Sequence, residues 1–191
     1  TQAGSEGSPI PIAYGKGSLL YTHDGRAIID AISSWWVTIH GHGNTRLARA
    51  MARQAEQLEQ VIFAGFTHAP AVELAERLVQ VLPSGISRIF YSDNGSTAVE
   101  VALKLAVQCW QKRGAARQRI ITFQESYHGD TFGAMSASAR GLFTAPFAHL
   151  LFEVVHITPP LPGQEAKSRE ELTRALAEQP TAALLYEPML Q

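Results

Sequence analysis

The stretch most able to do chemistry is residues 91–100, which predicts a short strand, a glycine turn and a helix start in succession. At such a junction the first backbone N–H groups of the helix point at an anion, and the helix dipole favours negative charge. Gly95 permits close approach, and the hydroxyls of Ser96 and Thr97 add donors. The Gly-Lys-Ser/Thr element of a nucleotide loop and the G-x-G-x-x-G dinucleotide pattern are both missing here. A phosphate bound at this junction would therefore belong to a smaller cofactor.

Two plainer interpretations of the same stretch stay open. Thr97 followed by Glu100 fits a capping box, in which case the junction is only a well-formed helix start. Asn94-Gly95-Ser96 also matches a glycosylation acceptor. Residues 1–8 lack the plan of a secretory signal, so we expect that match to be accidental.

A second candidate loop, residues 125–130, follows the next predicted strand and should lie at the same edge of the sheet. Tyr127 could stack on a planar cofactor ring, or it could be an ordinary core tyrosine. His128 could titrate near neutral pH, but such a residue more often only forms hydrogen bonds, so we assign it no proton transfer. Asp130 could orient a neighbour or cap the next helix.

Two adjacent tryptophans, Trp35 and Trp36, form a third candidate. On a strand or turn such neighbours point in opposite directions, so one could be core while the other lines a pocket. Taken alone, the pair favours two core tryptophans. His40 and His42 follow, but no acidic or cysteine partner lies nearby at ligand spacing, so we predict no metal site.

The elements that must position the first two loops alternate between strand and helix. This alternation predicts an α/β fold with a largely parallel sheet covered by helices on both faces. The helix at 96–113 is apolar almost all round and is therefore expected to be buried. Ser168 and Glu171 predict a capping box at the start of a later helix. The predicted strands are 88–92, 119–123, 151–157 and 182–186, and the predicted helices are 96–113 and 168–178.

The region before residue 66 has a different sequence pattern, without the alternation of strand and helix. Asp24-Gly25 predicts a hairpin turn within a small sheet over residues 9–32. Asn44 could cap a helix over residues 45–60, and a second helix is predicted over 69–81. The candidate buried face of the first helix consists of Leu47, Met51, Ala55 and Leu58.

Composition excludes several classes of function. Hydrophobic residues make up 46% of the 191 residues and the formal net charge is -1, so we expect a globular core and neither a nucleic-acid partner nor an anionic membrane surface. The single cysteine, Cys109, rules out a disulfide framework and suits a reducing compartment. Without an apolar run of about 18 residues or a signal-peptide plan, the chain is expected to be cytoplasmic, with no membrane span.

Four motifs taken together resemble class III aminotransferases of fold type I, over about residues 9–191. The resemblance implies a seven-stranded, mostly parallel sheet in a large domain, a small domain built from both chain ends, and a homodimer with active sites at its interface. Residues 1–65 would be the N-terminal part of the small domain and its lead-in, and residues 66–191 the first part of the large domain. The motifs are Ser33-Ser34-Trp35-Trp36 through His40-Gly41, the Phe-Ala-Gly-Phe-Thr-His-Ala-Pro run at 63–70, residues 92–96 and residues 127–130.

The resemblance implies pyridoxal 5'-phosphate (PLP) as cofactor. Gly95 and Ser96 would hold its phosphate, and Tyr127 would lie against its ring and contact substrate. Trp35 would line the substrate pocket. Glu187, in a Tyr-Glu-Pro element, would lie near the cofactor.

Among these enzymes, the tryptophan pair and the Thr-His-Ala-Pro run resemble the branch that serves biotin biosynthesis. That branch transfers an amino group from S-adenosylmethionine to 7-keto-8-aminopelargonate and gives 7,8-diaminopelargonate. The alternatives are a class III enzyme for an ω-amino acid or a diamine, and a non-catalytic domain that binds a phosphate ligand. The family's Schiff-base lysine is expected beyond Gln191, so residues 1–191 alone are expected to be inactive.

Overall fold

The computed structural model describes residues 8–189. The chain divides into two compact units, one ending at Ser87 and one beginning at Arg88. The domain boundary predicted at residue 65 concerns the domains of the family's complete fold, and it stays a prediction.

The first unit contains a three-stranded antiparallel sheet with the order β1-β2-β3. Strand β1 is Ile12–Lys16, β2 is Leu19–Thr22 and β3 is Ala27–Ile29. The predicted Asp24-Gly25 turn joins β2 to β3, and Gly25 takes a φ of +86° that favours glycine. The return strand stops at Ile29, three residues earlier than predicted. A new turn begins there, in which Ser33 N donates to Asp30 O at 3.3 Å.

Three helical segments follow in this unit: the single turn α1, Ser33–Trp36; α2, Thr45–Gln57; and α3, Ala69–Val81. Asn44 caps α2 as predicted, and its side chain accepts from Arg46 N and Leu47 N. The predicted buried face of α2 is wrong, since Leu47 and Met51 are exposed. Within the described part of this unit, no other element packs closely on that face.

The second unit is built on a three-stranded parallel sheet with the order β5-β4-β6. Adjacent residues of the central strand point to opposite faces. Ile120 packs with Leu103 on one side, and Ile121 packs with Ala175 on the other. This confirms the predicted α/β layering, with helices on both faces of a parallel sheet. The elements are α4, Gly95–Lys112; β4, Arg119–Phe123; α5, Phe132–Ala137; a 3-10 helix, Ala145–Leu150; β5, Val155–Ile157; α6, Glu165–Glu178; and β6, Thr181–Leu185.

Two strand predictions for this unit need correction. Residues 88–92 are not a strand, because no strand of the described chain pairs with them and no ladder forms. The strand predicted over 151–157 is paired only over Val155–Ile157, the residues that lie opposite β4.

Two helix predictions also need correction. Ser168 does not cap α6, because the helix starts at Glu165 and Ser168 lies buried inside it. Glu171 accepts from Thr158 N at 2.6 Å instead of closing a capping box. Helix α4 is not buried all round, since Leu103 is its one buried residue and an open groove of about 970 Å³ lies between the helix and residues of β4 and β5.

Ile121 is the clearest test of this core, because its side chain is 0% exposed between β4 and α6. Replacing it with alanine in the complete protein should lower the free energy of unfolding by about 2–5 kcal/mol, the usual cost of an apolar cavity. Urea unfolding measures the change. Glu170→Ala, at an exposed charged position of α6, is the control and should change stability by less than about 0.5 kcal/mol. Equal effects of the two substitutions would contradict this assignment of the core.

Candidate functional site

The start of α4 presents two unpaired backbone donors. Asn94 Oδ1 accepts from Thr97 N at 3.0 Å, and Thr97 Oγ1 accepts from Asn94 N at 3.2 Å. This reciprocal cap shows that the capping box predicted between Thr97 and Glu100 is wrong. The N–H groups of Gly95 and Ser96 have no acceptor within residues 8–189. They stand at the positive end of an 18-residue helix, where an anion is favoured.

The loop after β4 lies directly against this helix start. Asp130 N donates to Ser96 Oγ at 3.1 Å. A Cβ on Gly129 would lie 2.7 Å from Ser96 Cβ and 2.8 Å from Ser96 Cα, closer than real contacts allow. Gly129 also has a φ of +130°, which other residues rarely adopt. Glycine is therefore required at position 129 for the loop to reach Ser96.

Tyr127 presents its ring at this junction. The ring is 50% exposed, which excludes the interpretation as an ordinary core tyrosine. Its hydroxyl donates to Asp130 Oδ2 at 2.8 Å, and its backbone N–H donates to Glu187 Oε2 at 3.1 Å. Burial, together with the Asp130 carboxylate, raises the pKa of Tyr127 above its ordinary value of 10.0, so the phenol stays neutral. Asp130 thus links Tyr127 to Ser96, and the backbone of Tyr127 links Glu187 to the same group.

Glu100 braces the far side of the same loop, a role that the sequence analysis missed. Its Oε1 accepts from Thr131 Oγ1 at 2.5 Å, Gly133 N at 2.7 Å and Ala134 N at 3.1 Å, and so caps α5. One signal was visible, because Glu100 is the only acid of α4 and lies in its most apolar part, where a carboxylate needs donors. Its partners lie more than 30 positions away, so spacing could not identify them.

His128 is buried beneath the loop. Its Nε2 lies 3.0 Å from Thr122 Oγ1, and its backbone N–H donates to Ser138 Oγ at 2.8 Å. Burial lowers the pKa of His128, with Glu187 opposing the shift and His156 adding to it. These contacts give it the hydrogen-bonding role that the sequence favoured.

Trp35 belongs to the first unit, whereas the other four candidate residues belong to the second. Trp35 is 68% exposed and Trp36 55% exposed, so the prediction of two core tryptophans is wrong. The physical reason is that they lie in the helical turn α1, where successive side chains do not alternate between core and solvent. Their rings meet edge to face, with centroids 6.2 Å apart.

Within residues 8–189, no cluster of three or more histidine, cysteine or acidic side chains is arranged to hold a metal ion. None of the helices described there combines the length and the apolar character needed to cross a membrane.

The pH dependence of stability should report the burial of His128. Its pKa in the folded protein is lowered from 6.5, so a proton binds the unfolded chain more tightly. The stability that depends on neutral His128 is therefore fully present above that ordinary value and is lost as the pH falls through the lowered one. Thermal unfolding of the complete protein from about pH 8 to about pH 5 should show a steeper loss than in His128→Asn. The exposed His23→Asn is the control, and a His128→Asn profile parallel to the wild type would refute the assignment.

Comparisons with known proteins fit this arrangement. The model of the family "aminotransferase class-III" matches residues 1–191. A curated relative, the adenosylmethionine-8-amino-7-oxononanoate aminotransferase of Synechococcus elongatus, is 49% identical over 191 residues, which cover 96% of this chain and 45% of the relative.

Solved structures agree. A crystal structure of the aminotransferase of the same name from Methanocaldococcus jannaschii gives a TM-score of 0.86 at 33% identity, over 93% of this chain and 41% of that one. An amine transaminase from an uncultivated Pseudomonas species, in its PLP-bound form, gives a TM-score of 0.87 at 28% identity. This match covers 100% of this chain and 48% of that one. The chain spans less than half the length of these relatives, and its fold is that part of a fold type I transaminase. On this sequence match and this shared fold, the chain belongs to the class III aminotransferases.

Proposed function

We propose that the protein containing this chain is a PLP-dependent aminotransferase that moves an amino group from S-adenosylmethionine to 8-amino-7-oxononanoate (7-keto-8-aminopelargonate). The product would be 7,8-diaminopelargonate, a step of biotin biosynthesis. This proposal rests mainly on the unpaired N–H groups of Gly95 and Ser96, which lie beside the half-exposed ring of Tyr127. The names of the relatives support the choice of substrates.

The residues present fit PLP. Its phosphate needs donors that no protein acceptor already occupies, and the first turn of α4 offers two. A Cβ at Gly95 would meet nothing within 4 Å, so no other described residue crowds this position. Tyr127 supplies a flat ring beside them, suited to stacking on a pyridine ring.

Each candidate residue then has a role. The amides of Gly95 and Ser96 bind the phosphate, and Tyr127 covers the ring and contacts substrate. Glu187 lies near the cofactor and fixes the loop by accepting from Tyr127 N. Trp35 forms a flat wall that suits a long aliphatic substrate. When bound, PLP supplies the electron sink for amino transfer, and the protein supplies binding and orientation.

The family resemblance also supports a homodimer as the working assembly. The single cysteine of the sequence supports a cytoplasmic location, where thiols stay reduced. Size-exclusion chromatography with light scattering tests the assembly, and cell fractionation tests the location.

A substrate assay on the complete protein tests the reaction. Purified protein with PLP, S-adenosylmethionine and 7-keto-8-aminopelargonate should form 7,8-diaminopelargonate, detected by mass spectrometry. Turnover of β-alanine or ornithine in its place would move the protein to the branch that uses ω-amino acids or diamines. PLP binding without any turnover would instead favour the non-catalytic domain.

A second test targets the phosphate anchor. Gly129→Ala forces a Cβ against the backbone of Ser96 and moves the loop away from the helix start. We expect PLP to bind at least about tenfold more weakly, a loss of ~1.4 kcal/mol, as followed by the cofactor's visible absorbance. Gly141→Ala is the matched control, because a Cβ there meets open space. Unchanged PLP affinity in Gly129→Ala would remove the Ser96 junction from the cofactor site.

A further inference from the structure

Turn α1 is left-handed although it contains no glycine. Its four residues, Ser33–Trp36, have φ values of 50°, 46°, 64° and 69°. Left-handed backbone crowds the Cβ atom of an L-residue, so each of these positions opposes its own local preference. Such a turn persists only where its surroundings over-determine it, and such strain is concentrated at binding and catalytic sites.

Asp30 supplies most of what holds the turn. Its Oδ1 accepts from Ser34 N at 2.9 Å, and its Oδ2 accepts from Ser34 Oγ at 2.7 Å. Its backbone carbonyl also accepts from Ser33 N. The hydrogen bonds from Ser34, first the backbone one and then the hydroxyl one, lower the pKa of Asp30 to about 2, with His42 adding to the shift. The carboxylate therefore stays ionised and can accept all these bonds at once.

His42 also holds the Asp30 carboxylate in place. Its Nε2 lies 2.7 Å from Asp30 Oδ2, and the Asp30 side chain is only 5% exposed. The backbone of His42 bonds Gly17 in both directions, at 3.0 Å and 2.8 Å. A Cβ on Gly15 would lie 2.6 Å from His42 Cβ and Cγ, so glycine there gives the histidine its place. The end of the β1-β2 hairpin thus holds His42, and His42 holds Asp30.

The same three side chains could suggest a hydrolytic triad, but the geometry argues against one. A triad histidine uses one ring nitrogen for the carboxylate and the other for the nucleophile. Here Nε2 alone faces both groups, at 2.7 Å from Asp30 and 3.5 Å from Ser34 Oγ. The Ser34 hydroxyl proton is donated to Asp30 and not to the ring. The cluster therefore orients the backbone and does not activate Ser34.

We propose that Asp30 and His42 are positioning residues that hold turn α1 left-handed and thereby keep Trp35 and Trp36 exposed in their edge-to-face pair. The consequence for substrate selection rests on the proposed function, in which Trp35 lines the pocket. Asp30 and His42, together called the clamp below, set the position of the Trp35 ring. They therefore affect substrate binding more than the chemical step.

Asp30→Asn in the complete protein tests the clamp. Asparagine keeps the size but removes the negative charge and puts an NH2 donor in place of one acceptor oxygen, so the bonds to Ser34 Oγ and His42 lose their charged acceptor and are weakened. We expect the tryptophan pair to lose its exciton band in circular dichroism while unfolding stays cooperative. The KM for 7-keto-8-aminopelargonate should rise about tenfold, with kcat changed much less.

A rescue variant separates positioning from general structural damage. Adding Ser34→Gly to Asp30→Asn removes the conformational strain at one of the four positions, so the exciton band should return in part. Asp24→Asn is the matched control, because that carboxylate is exposed in the β2-β3 turn and bonds only its neighbours there. If Asp30→Asn does not fold, His42→Gln replaces it and should weaken the band.

The outcomes are distinct. A full exciton band in Asp30→Asn, or in His42→Gln where that replaces it, overturns the clamp, as does failure of the Ser34→Gly rescue. Loss of the band with an unchanged KM supports the clamp and instead rejects the pocket role given to Trp35 under the proposed function. Loss of the band together with the raised KM supports both.

Discussion

One contact controls the candidate site, the approach of the loop at residues 127–130 to the first turn of α4. The hydrogen bond from Asp130 N to Ser96 Oγ forms only because position 129 has no side chain. Without that approach the unpaired donors of α4 and the ring of Tyr127 would be two unrelated surface features. With it, donors for an anion and a flat aromatic ring share one edge of a parallel sheet, where ligands of α/β folds bind.

Two carboxylates hold this loop at its two ends. Glu187, just after β6, accepts from the backbone of Tyr127, and Glu100, one turn into α4, accepts from the backbone at the start of α5. Glu187 therefore links the end of β6 to the start of the loop, and Glu100 links α4 to the helix that follows the loop, each by way of backbone N–H groups. Bonds to charged acceptors are stronger than neutral ones, so the loop is fixed before any ligand arrives.

The sequence could predict what depends on near neighbours. Periodicity gave α4, β4 and β6 to within about a residue, and the Asn44 cap followed from its residue type. Bonds across the chain could not be predicted, and this is why Glu100 was assigned to a nearby helix start and not to α5. The exposed face of α2 shows another limit, because an apolar stripe predicts amphipathicity and does not say what covers it. The left-handed conformation of turn α1 could not be predicted from the sequence, since no local preference in Ser-Ser-Trp-Trp favours positive φ.

Tyr127 and Trp35, the two aromatic candidates, are held in place by different interactions, each within its own unit. Tyr127 is placed by bonds that satisfy its hydroxyl and its backbone, with little strain to offset. Trp35 is placed by a backbone that opposes its own preference and is held by the Asp30 carboxylate. A large exposed aromatic gains nothing from hydration, so neither arrangement stabilises the isolated fold through burial. Strain of this kind is concentrated at binding and catalytic sites, and this is the physical basis of the role proposed for Trp35.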